Sequence, residues 1–242
     1  MTYVIADIHG CYEEFLELLD RIGFSDEDDL FVLGDAMDRG PEPIRVIQDL
    51  MQRPNVTYIL GNHDDMMLRS LRKLAVEITE DSLNDLSEDD LASYRHWMRQ
   101  GGGVTVAQFR KLTHPERGDI LDYLECATVY ETVEHNGRLY ILVHGGLRDF
   151  DPGKELQDYD SFGLLWERTD YGRRYFPSDR IFLVTGHTPT MLFREDKEPL
   201  IYQENGHIAL DCGCVFGGNL AAYCIETGET AYVPRKEKAQ TV

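Results

Sequence analysis

The sequence predicts an α/β fold in which a two-sheet β-sandwich is flanked by helices. Its first sixty residues alternate short apolar runs with amphipathic stretches in a βαβαβ order, and strand-like runs return in the last third of the chain. A length of 242 residues suits one large domain, or one domain with a sizeable insertion. We therefore expect a single domain over residues 1–235 and a disordered tail over residues 236–242.

The βαβαβ part contains three predicted strands and two predicted helices. The strands are Thr2–Ala6, Leu30–Leu33 and Val56–Leu60, and the helices are Tyr12–Ile22 and Pro43–Gln52. In the first helix Phe15, Leu18 and Ile22 recur at i, i+3 and i+7 and so share one apolar face. Pro43 favours a helix start, because the first helical residue needs no partner for an N–H group.

The middle of the chain has a mostly helical pattern. We expect a helical insertion at about residues 85–125, which would form a wall of the functional site. Residues 77–90 contain seven carboxylates and no lysine or arginine, and this composition predicts an exposed loop.

The last third of the chain is predicted to form a β-meander. Its strands are Ala127–Glu134, Arg138–Val143, Ile181–Thr185, Leu200–Gln203, His207–Leu210, Leu220–Ile225 and Ala231–Val233. The Asn136-Gly137 pair marks a hairpin turn between the first two of these strands. Residues 149–179 lack a regular pattern and predict a long loop of the kind that carries function.

Composition excludes several classes of partner. The chain has 24 basic and 44 acidic side chains, so its formal net charge is −20. Such a chain repels both the nucleic-acid backbone and an anionic membrane surface. No apolar run approaches the roughly 18 residues of a membrane span, and no leader pattern precedes Thr2. We expect a cytoplasmic protein whose five scattered cysteines are reduced thiols.

Metal-binding residue types follow five of the predicted strands. They are Asp7, His9, Asp35, Asn62, His63, Asp64, His144 and His187. Any one of them alone is more often a turn former or a structural polar residue. The carboxyl ends of strands in an open α/β sheet, however, meet along one rim, so the five groups are expected to form a single site.

These side chains predict a centre of two metal ions. Carboxylate, imidazole and amide donors suit Mn, Fe or Zn better than a thiolate metal or calcium. Their number fits two ions that share one carboxylate. Such a pair, roughly 3.5–4 Å apart, activates water and stabilises an in-line displacement at phosphorus. The pattern therefore predicts hydrolysis of a phosphate ester.

Six short motifs resemble those of the metallophosphoesterase (calcineurin-like phosphoesterase) superfamily. They are Asp7-Ile8-His9-Gly10, Gly34-Asp35-Ala36-Met37-Asp38-Arg39-Gly40, Gly61-Asn62-His63-Asp64, His144-Gly145-Gly146, Gly186-His187-Thr188 and the segment from Trp97 to Gly102. Within this superfamily the sequence is similar to the compact bacterial PPP-type serine/threonine protein phosphatases, over about residues 2–233. The resemblance implies the two-sheet fold and a metal-dependent hydrolase.

The same resemblance implies which residues hold metal. It implies two divalent ions, with Mn favoured and Fe, Zn or Ni as alternatives. The residues of one ion would be Asp7 and His9, those of the other would be Asn62, His144 and His187, and the bridging residue would be Asp35.

It also implies four catalytic residues. His63 would protonate the leaving oxygen, and Asp38 would fix the tautomer of His63. Asn62 and His63 are expected to be adjacent in an extended loop, where their side chains would point opposite ways, one to metal and one to substrate. Two arginines, Arg39 and Arg168, would bind the phosphate oxygens. Other arginines of the same loop region remain alternatives to the second one, namely Arg148, Arg173 and Arg174.

The favoured function is hydrolysis of a phosphomonoester, with phosphoserine or phosphothreonine in a protein or peptide, or a small phosphoester, as the substrate. Asp38 favours this interpretation, because symmetrical dinucleoside tetraphosphate hydrolases tend to lack an acid just before the Arg-Gly pair. Asp64 leaves the substrate class open, since eukaryotic-type protein phosphatases carry glutamate there. The alternatives are a symmetrical dinucleoside tetraphosphate hydrolase and, more remotely, a non-catalytic metal-binding regulatory module.

Overall fold

The computed structural model, which describes residues 1–72 and 87–236, contains two five-stranded sheets. The strands of the first sheet are β1 (Thr2–Ile5), β2 (Asp29–Leu33), β3 (Val56–Ile59), β9 (Asn219–Cys224) and β10 (Thr230–Pro234). Those of the second are β4 (Tyr130–His135), β5 (Arg138–Val143), β6 (Ile181–Thr185), β7 (Tyr202–Glu204) and β8 (His207–Ala209). Their orders are β10-β9-β1-β2-β3 and β4-β5-β6-β8-β7, so the predicted two-sheet α/β fold is confirmed.

Each sheet contains three neighbouring strands that run parallel to one another. In the first sheet β1, β2 and β3 run parallel, and in the second β5, β6 and β8 do so. The prediction of a β-meander in the last third is therefore wrong. The reason is that β5 and β6 are continuous apolar runs that need cover on both faces, which favours parallel pairing through crossovers. In addition, β9 returns to the first sheet and pairs with β1.

The two sheets pack face to face around a shared apolar layer. Val4, Leu33 and Ile59 of the first sheet meet Leu142 and Val184 of the second in one buried cluster. Helices cover the outer face of the first sheet through a second, larger cluster. This double burial fixes the strands rigidly and, with them, the loops at their carboxyl ends.

Seven α-helices lie in the described part of the chain. They are α1 (Tyr12–Arg21), α2 (Pro43–Met51), α3 (Asn62–Leu71), α4 (Glu88–Trp97), α5 (Gly103–Phe109), α6 (His114–Glu125) and α7 (Ser161–Trp166). A π-helical turn, Met98–Gly102, joins α4 to α5. Helix α4 packs on α3, and α5 packs on α2. No helix of residues 1–72 or 87–236 has both the length and the apolar composition to cross a membrane.

The predicted acidic loop at residues 77–90 lies mostly outside the described residues. Where the structure describes it, the expectation of a loop is wrong, because Glu88, Asp89 and Asp90 form the first turn of α4. Ser87 caps this helix by accepting a hydrogen bond from the backbone N–H of Asp90. Acidic side chains in a first turn also interact favourably with the helix dipole. Residues 237–242 of the predicted tail are outside the described range.

Candidate active site

The loops after the parallel strands bring the predicted residues together. Asp7 and His9 follow β1, Asp35 follows β2, His144 follows β5 and His187 follows β6. The first four of these side chains are buried. The structure therefore confirms the convergence of several strand ends at one place, as expected for an α/β fold.

The backbone of the site is held in an unfavourable conformation. Ten non-glycine residues in the described ranges have positive φ, and six of them are predicted site residues, namely Asp7, His9, Asp35, Asp38, Arg39 and His187. A left-handed backbone is disfavoured for residues with a Cβ atom and persists only where surrounding contacts enforce it. Such strain is concentrated at functional sites, which agrees with the predicted roles.

Asp35 lies between two groups of possible ligands. The ligand atoms of His9, Asp35 and His63 lie within 4.8 Å of one another, and so do those of Asp35, His144 and His187. One carboxylate oxygen of Asp35, Oδ2, is 3.5 Å from Nε2 of both His9 and His144. This shared carboxylate is the arrangement that two neighbouring cations require.

Two of the histidines are held in the tautomer that binds metal through Nε2. Nδ1 of His9 is 2.7 Å from the carbonyl oxygen of Met37, and Nδ1 of His144 is 2.7 Å from that of Leu33. A carbonyl oxygen only accepts, so each Nδ1 carries the hydrogen and each Nε2 keeps its lone pair. Burial lowers the pKa of both rings, which keeps them neutral as ligands must be.

Asn62 places an oxygen among the ligands of the second group. Its Oδ1 is 2.9 Å from Nε2 of His144 and 2.9 Å from Nδ1 of His187. Since Nε2 of His144 carries a lone pair, two electron-rich atoms face each other at hydrogen-bond distance. A divalent cation at this point would satisfy both. The described residues thus fit a pair of divalent ions by their donor chemistry.

The local structure around Asn62 differs from the prediction. Asn62 and His63 were expected in an extended loop, but they begin α3, directly after its N-cap residue Gly61. The carboxylate of Asp64 explains the helix start, because its Oδ2 accepts hydrogen bonds from the N–H groups of Gly61 (2.9 Å) and Asp35 (3.0 Å). Successive helical residues point about 100° apart, so Asn62 and His63 still face different partners.

Asp7 lies outside the two groups of ligand atoms. Its Oδ2 accepts a 2.9 Å hydrogen bond from the backbone N–H of His187. The adjacent Gly186 is required here, since a Cβ atom at that position would lie 2.2 Å from the same oxygen. Burial, together with the nearby carboxylates of Asp211 and Asp35, raises the pKa of Asp7 well above its usual range. Its role as a ligand stays a prediction.

Asp211 is a buried acid of the site that sequence reasoning missed. It carries a carboxyl group whose pKa is raised to about 6, chiefly by burial. The signal was present in the sequence, because Asp211 follows β8 by two residues, as Asp7 follows β1. A cluster of buried carboxylates is costly without compensating positive charge, and divalent cations supply that charge.

Asp38 holds His63 and also anchors the helices beside it. Its Oδ2 is 2.7 Å from Nδ1 of His63 and accepts a 2.7 Å hydrogen bond from the indole of Trp97. Its Oδ1 accepts a 2.6 Å hydrogen bond from the hydroxyl of Thr105. Burial raises the pKa of Asp38 to about 6. Because this carboxylate joins three segments of the fold, its presence says little about the leaving group, and the inference from Asp38 to a protein phosphatase was unsound.

Trp97→Phe is expected to lower the free energy of unfolding by about 1–3 kcal/mol, since it removes a hydrogen bond to a buried carboxylate and keeps most of the ring. Denaturant unfolding monitored by circular dichroism measures this change. The control is Trp166→Phe, at the other tryptophan of the chain, which is only half-buried. Equal stability of wild type and Trp97→Phe would show that the indole does not hold Asp38.

Arg39 spans the first group of ligands. Its Nη1 is 2.6 Å from Nε2 of His9 and its Nη2 is 2.7 Å from Nε2 of His63. Its backbone N–H donates to the carbonyl oxygen of Gly101 in the π-helical turn, which fixes the loop that carries it. The planar pair of N–H donors on a guanidinium group matches the spacing of two phosphate oxygens. Its function in phosphate binding remains a prediction.

Arg168 lies beside the second group. Its Nη1 donates a 3.2 Å hydrogen bond to the hydroxyl of Thr188, the residue after His187. The side chain is otherwise exposed and free to approach a ligand. One alternative, Arg148, instead places its guanidinium over the ring of Phe162, at 5.7 Å from the centroid. These positions favour Arg168 as the second phosphate ligand.

Comparison with known proteins agrees with this geometry. A family model described as calcineurin-like phosphoesterase matches residues 2–224. A relative from Geobacillus sp., an asymmetrical bis(5′-nucleosyl)-tetraphosphatase, is 31% identical over 96% of this chain and 93% of its own length. A symmetrical bis(5′-nucleosyl)-tetraphosphatase from Erwinia tasmaniensis is 36% identical over 99% of each chain. A solved structure provisionally described as a diadenosine tetraphosphatase has a TM-score of 0.61 at 20% identity, covering 96% of this chain and 92% of that one.

The relatives overturn the expected substrate. Proteins similar over nearly the whole chain carry the name of tetraphosphatases, so the prediction of a serine/threonine protein phosphatase acting on a phosphorylated protein or peptide is wrong. The alternative of a non-catalytic module is not supported either, because the family consists of phosphoesterases that use divalent metals. The family match and the full-length relatives establish that the chain belongs to the calcineurin-like phosphoesterase family and is a metallophosphoesterase.

Proposed function

We propose that this enzyme hydrolyses dinucleoside tetraphosphates, and that it cleaves them symmetrically. The observation that carries the substrate class is the similarity, over 99% of both chains, to a symmetrical bis(5′-nucleosyl)-tetraphosphatase at 36% identity. An asymmetrical tetraphosphatase is also similar, at 31% identity, so the position of cleavage is the part of the proposal that product analysis must decide.

The site geometry supports hydrolysis at phosphorus. Two divalent ions, with Asp35 between their ligand groups, supply Lewis-acid charge and an activated water when bound. We infer Mn²⁺ as the first choice because the donors are carboxylate, imidazole and amide groups. The proposal uses the ligand sets predicted from the sequence, with Asp7 and His9 for one ion and Asn62, His144 and His187 for the other.

The chain's own residues have separate tasks in this proposal. Arg39 binds the oxygens of the phosphoryl group that is attacked, from its place between His9 and His63. Arg168 binds the same polyphosphate from the side of Thr188. The two arginines also offset the repulsion between a chain of net charge −20 and a polyanionic substrate.

His63 and Asp38 are proposed to serve the leaving group. Nδ1 of His63 contacts the carboxylate of Asp38, and its Nε2 contacts Arg39. Because Arg39 is proposed to bind the reacting phosphate, the ring of His63 would lie next to that phosphate. A nucleoside diphosphate leaves as a stabilised anion and needs less proton donation than the alkoxide of phosphoserine. The role of His63 is therefore smaller for an anhydride than for an alkyl ester.

The test compares substrates and identifies products in the presence of Mn²⁺. We expect kcat/KM for diadenosine tetraphosphate to exceed that for a phosphoserine peptide by at least about tenfold, a difference of roughly 1.4 kcal/mol. Anion-exchange chromatography should show ADP as the only nucleotide product, because cleavage at the central anhydride gives two diphosphates. ATP together with AMP would show asymmetrical cleavage. A preference for the phosphopeptide would contradict the proposed substrate class.

A further inference from the structure

Phe216 is an exposed aromatic residue at the candidate active site. Its side chain is 59% exposed, although most large apolar side chains of the described residues are at least half-buried. The guanidinium of Arg39 lies 5.2 Å from the centroid of its ring. Since Arg39 contacts His9 and His63, the exposed ring lies beside the candidate catalytic residues.

The loop that carries Phe216 is held rigidly. The N–H of Phe216 donates to the carbonyl oxygen of Gly213, and that of Gly218 donates to the same oxygen, both at 2.9 Å. Left-handed backbone at Gly213 and Gly217 closes the turn on either side. A Cβ atom on Gly218 would lie 2.1 Å from the carbonyl oxygen of Cys212, so the close packing of the loop requires glycine at position 218.

The exposed ring of Phe216 and the neighbouring guanidinium of Arg39 together could bind the two parts of a nucleotide. The phosphates of a nucleotide would bind Arg39, and a nucleobase has the flat aromatic surface that stacks on a phenyl ring. Because the backbone of the loop is held before binding, stacking requires no ordering of the loop and costs little conformational entropy. We propose that Phe216 is the surface on which one nucleobase of the dinucleoside tetraphosphate stacks. This inference rests on the proposed function and names the part of the substrate that the residue recognises.

A positioning role for Phe216 would have a different signature. If the ring served only to orient Arg39 through a cation–π contact, its loss would weaken binding of every phosphate ligand. If it stacks a base, its loss weakens only ligands that carry a base. The inhibition constants of ADP and of inorganic pyrophosphate separate the two cases, since both are diphosphates and only one carries a base.

The experiment measures diadenosine tetraphosphate hydrolysis and its inhibition in wild type, Phe216→Ala and Phe216→Trp. For Phe216→Ala we expect KM, and the inhibition constant of ADP, to rise about 5- to 150-fold, with kcat and the inhibition constant of pyrophosphate within about twofold of wild type. Phe216→Trp should keep wild-type values. The control is Leu16→Ala, which removes another exposed apolar side chain, on α1.

Each outcome decides between the hypotheses. An unchanged KM in Phe216→Ala overturns the stacking role and leaves the proposed function standing. Equal losses for ADP and pyrophosphate also overturn it, in favour of positioning of Arg39. A wild-type enzyme that does not hydrolyse the tetraphosphate overturns the proposed function itself, and the stacking role with it.

Discussion

Asp35→Asn is expected to lower kcat/KM for diadenosine tetraphosphate by at least about 100-fold. Asp35 is the one residue common to both ligand groups, and its Oδ2 is 3.5 Å from Nε2 of both His9 and His144. Asparagine has nearly the same shape but lacks the negative charge that would hold two cations against their mutual repulsion. Steady-state kinetics measure the loss of turnover, and metal analysis of the Mn-loaded protein measures the loss of bound ions.

The comparison for this variant is Asp179→Asn, a substitution of the same chemistry at a side chain that is 95% exposed. It should keep both its activity and its metal content. The backbone N–H of His63 also donates to Asp35, so unfolding curves must show that Asp35→Asn is folded. A folded Asp35→Asn enzyme with wild-type turnover and two bound ions would refute the shared-carboxylate account.

Arg39→Ala is expected to reduce kcat/KM for the same substrate by about 10²–10³, the usual loss when a preorganised donor to a reacting oxygen is removed. Arg39→Lys should restore only part of this activity, because an ammonium group lacks the planar pair of N–H donors that Arg39 directs toward His9 and His63. Kinetics with diadenosine tetraphosphate measure both variants.

Arg45→Ala is the control for this prediction. Arg45 lies on α2, and its side chain is 59% exposed and pairs with Glu42. Its removal should change kcat/KM by less than about twofold. If Arg39→Ala retained more than half of the wild-type kcat/KM, Arg39 would not bind the reacting phosphate.

The sequence was sufficient for the parts of the site that follow directly from strand order. Asp7, Asp35 and His144 each stand after an apolar run, and parallel strands bring the ends of such runs together. The same rule would have found Asp211 after β8. The helix at Asn62 was missed because its start depends on Asp64 accepting hydrogen bonds from Gly61 and from the distant Asp35.

Long-range pairing was beyond what local patterns specify. Nothing in the run of β9 indicates that it leaves the second sheet and pairs with β1, more than 200 residues earlier. Likewise, the contacts of Asp38 with Trp97 and Thr105 join segments about 60 residues apart. Such contacts are set by the packing of whole layers, which periodicity does not encode.

The substrate class was wrong for a chemical reason. The motifs specify metal ligands and phosphate-binding groups, and these serve a phosphomonoester and a phosphoanhydride alike. The group that distinguishes the two substrates is the part beyond the phosphate. In this structure the residue suited to recognise that part is Phe216, which belongs to none of the motifs.

The proposed catalysis depends on one centre that holds two divalent ions sharing Asp35. Anomalous scattering from crystals of the enzyme grown with Mn²⁺ tests it most directly. We expect two peaks, both next to the carboxylate of Asp35, with one also beside His9 and the other beside Asn62, His144 and His187. A single peak, or two peaks of which one does not touch Asp35, would contradict it.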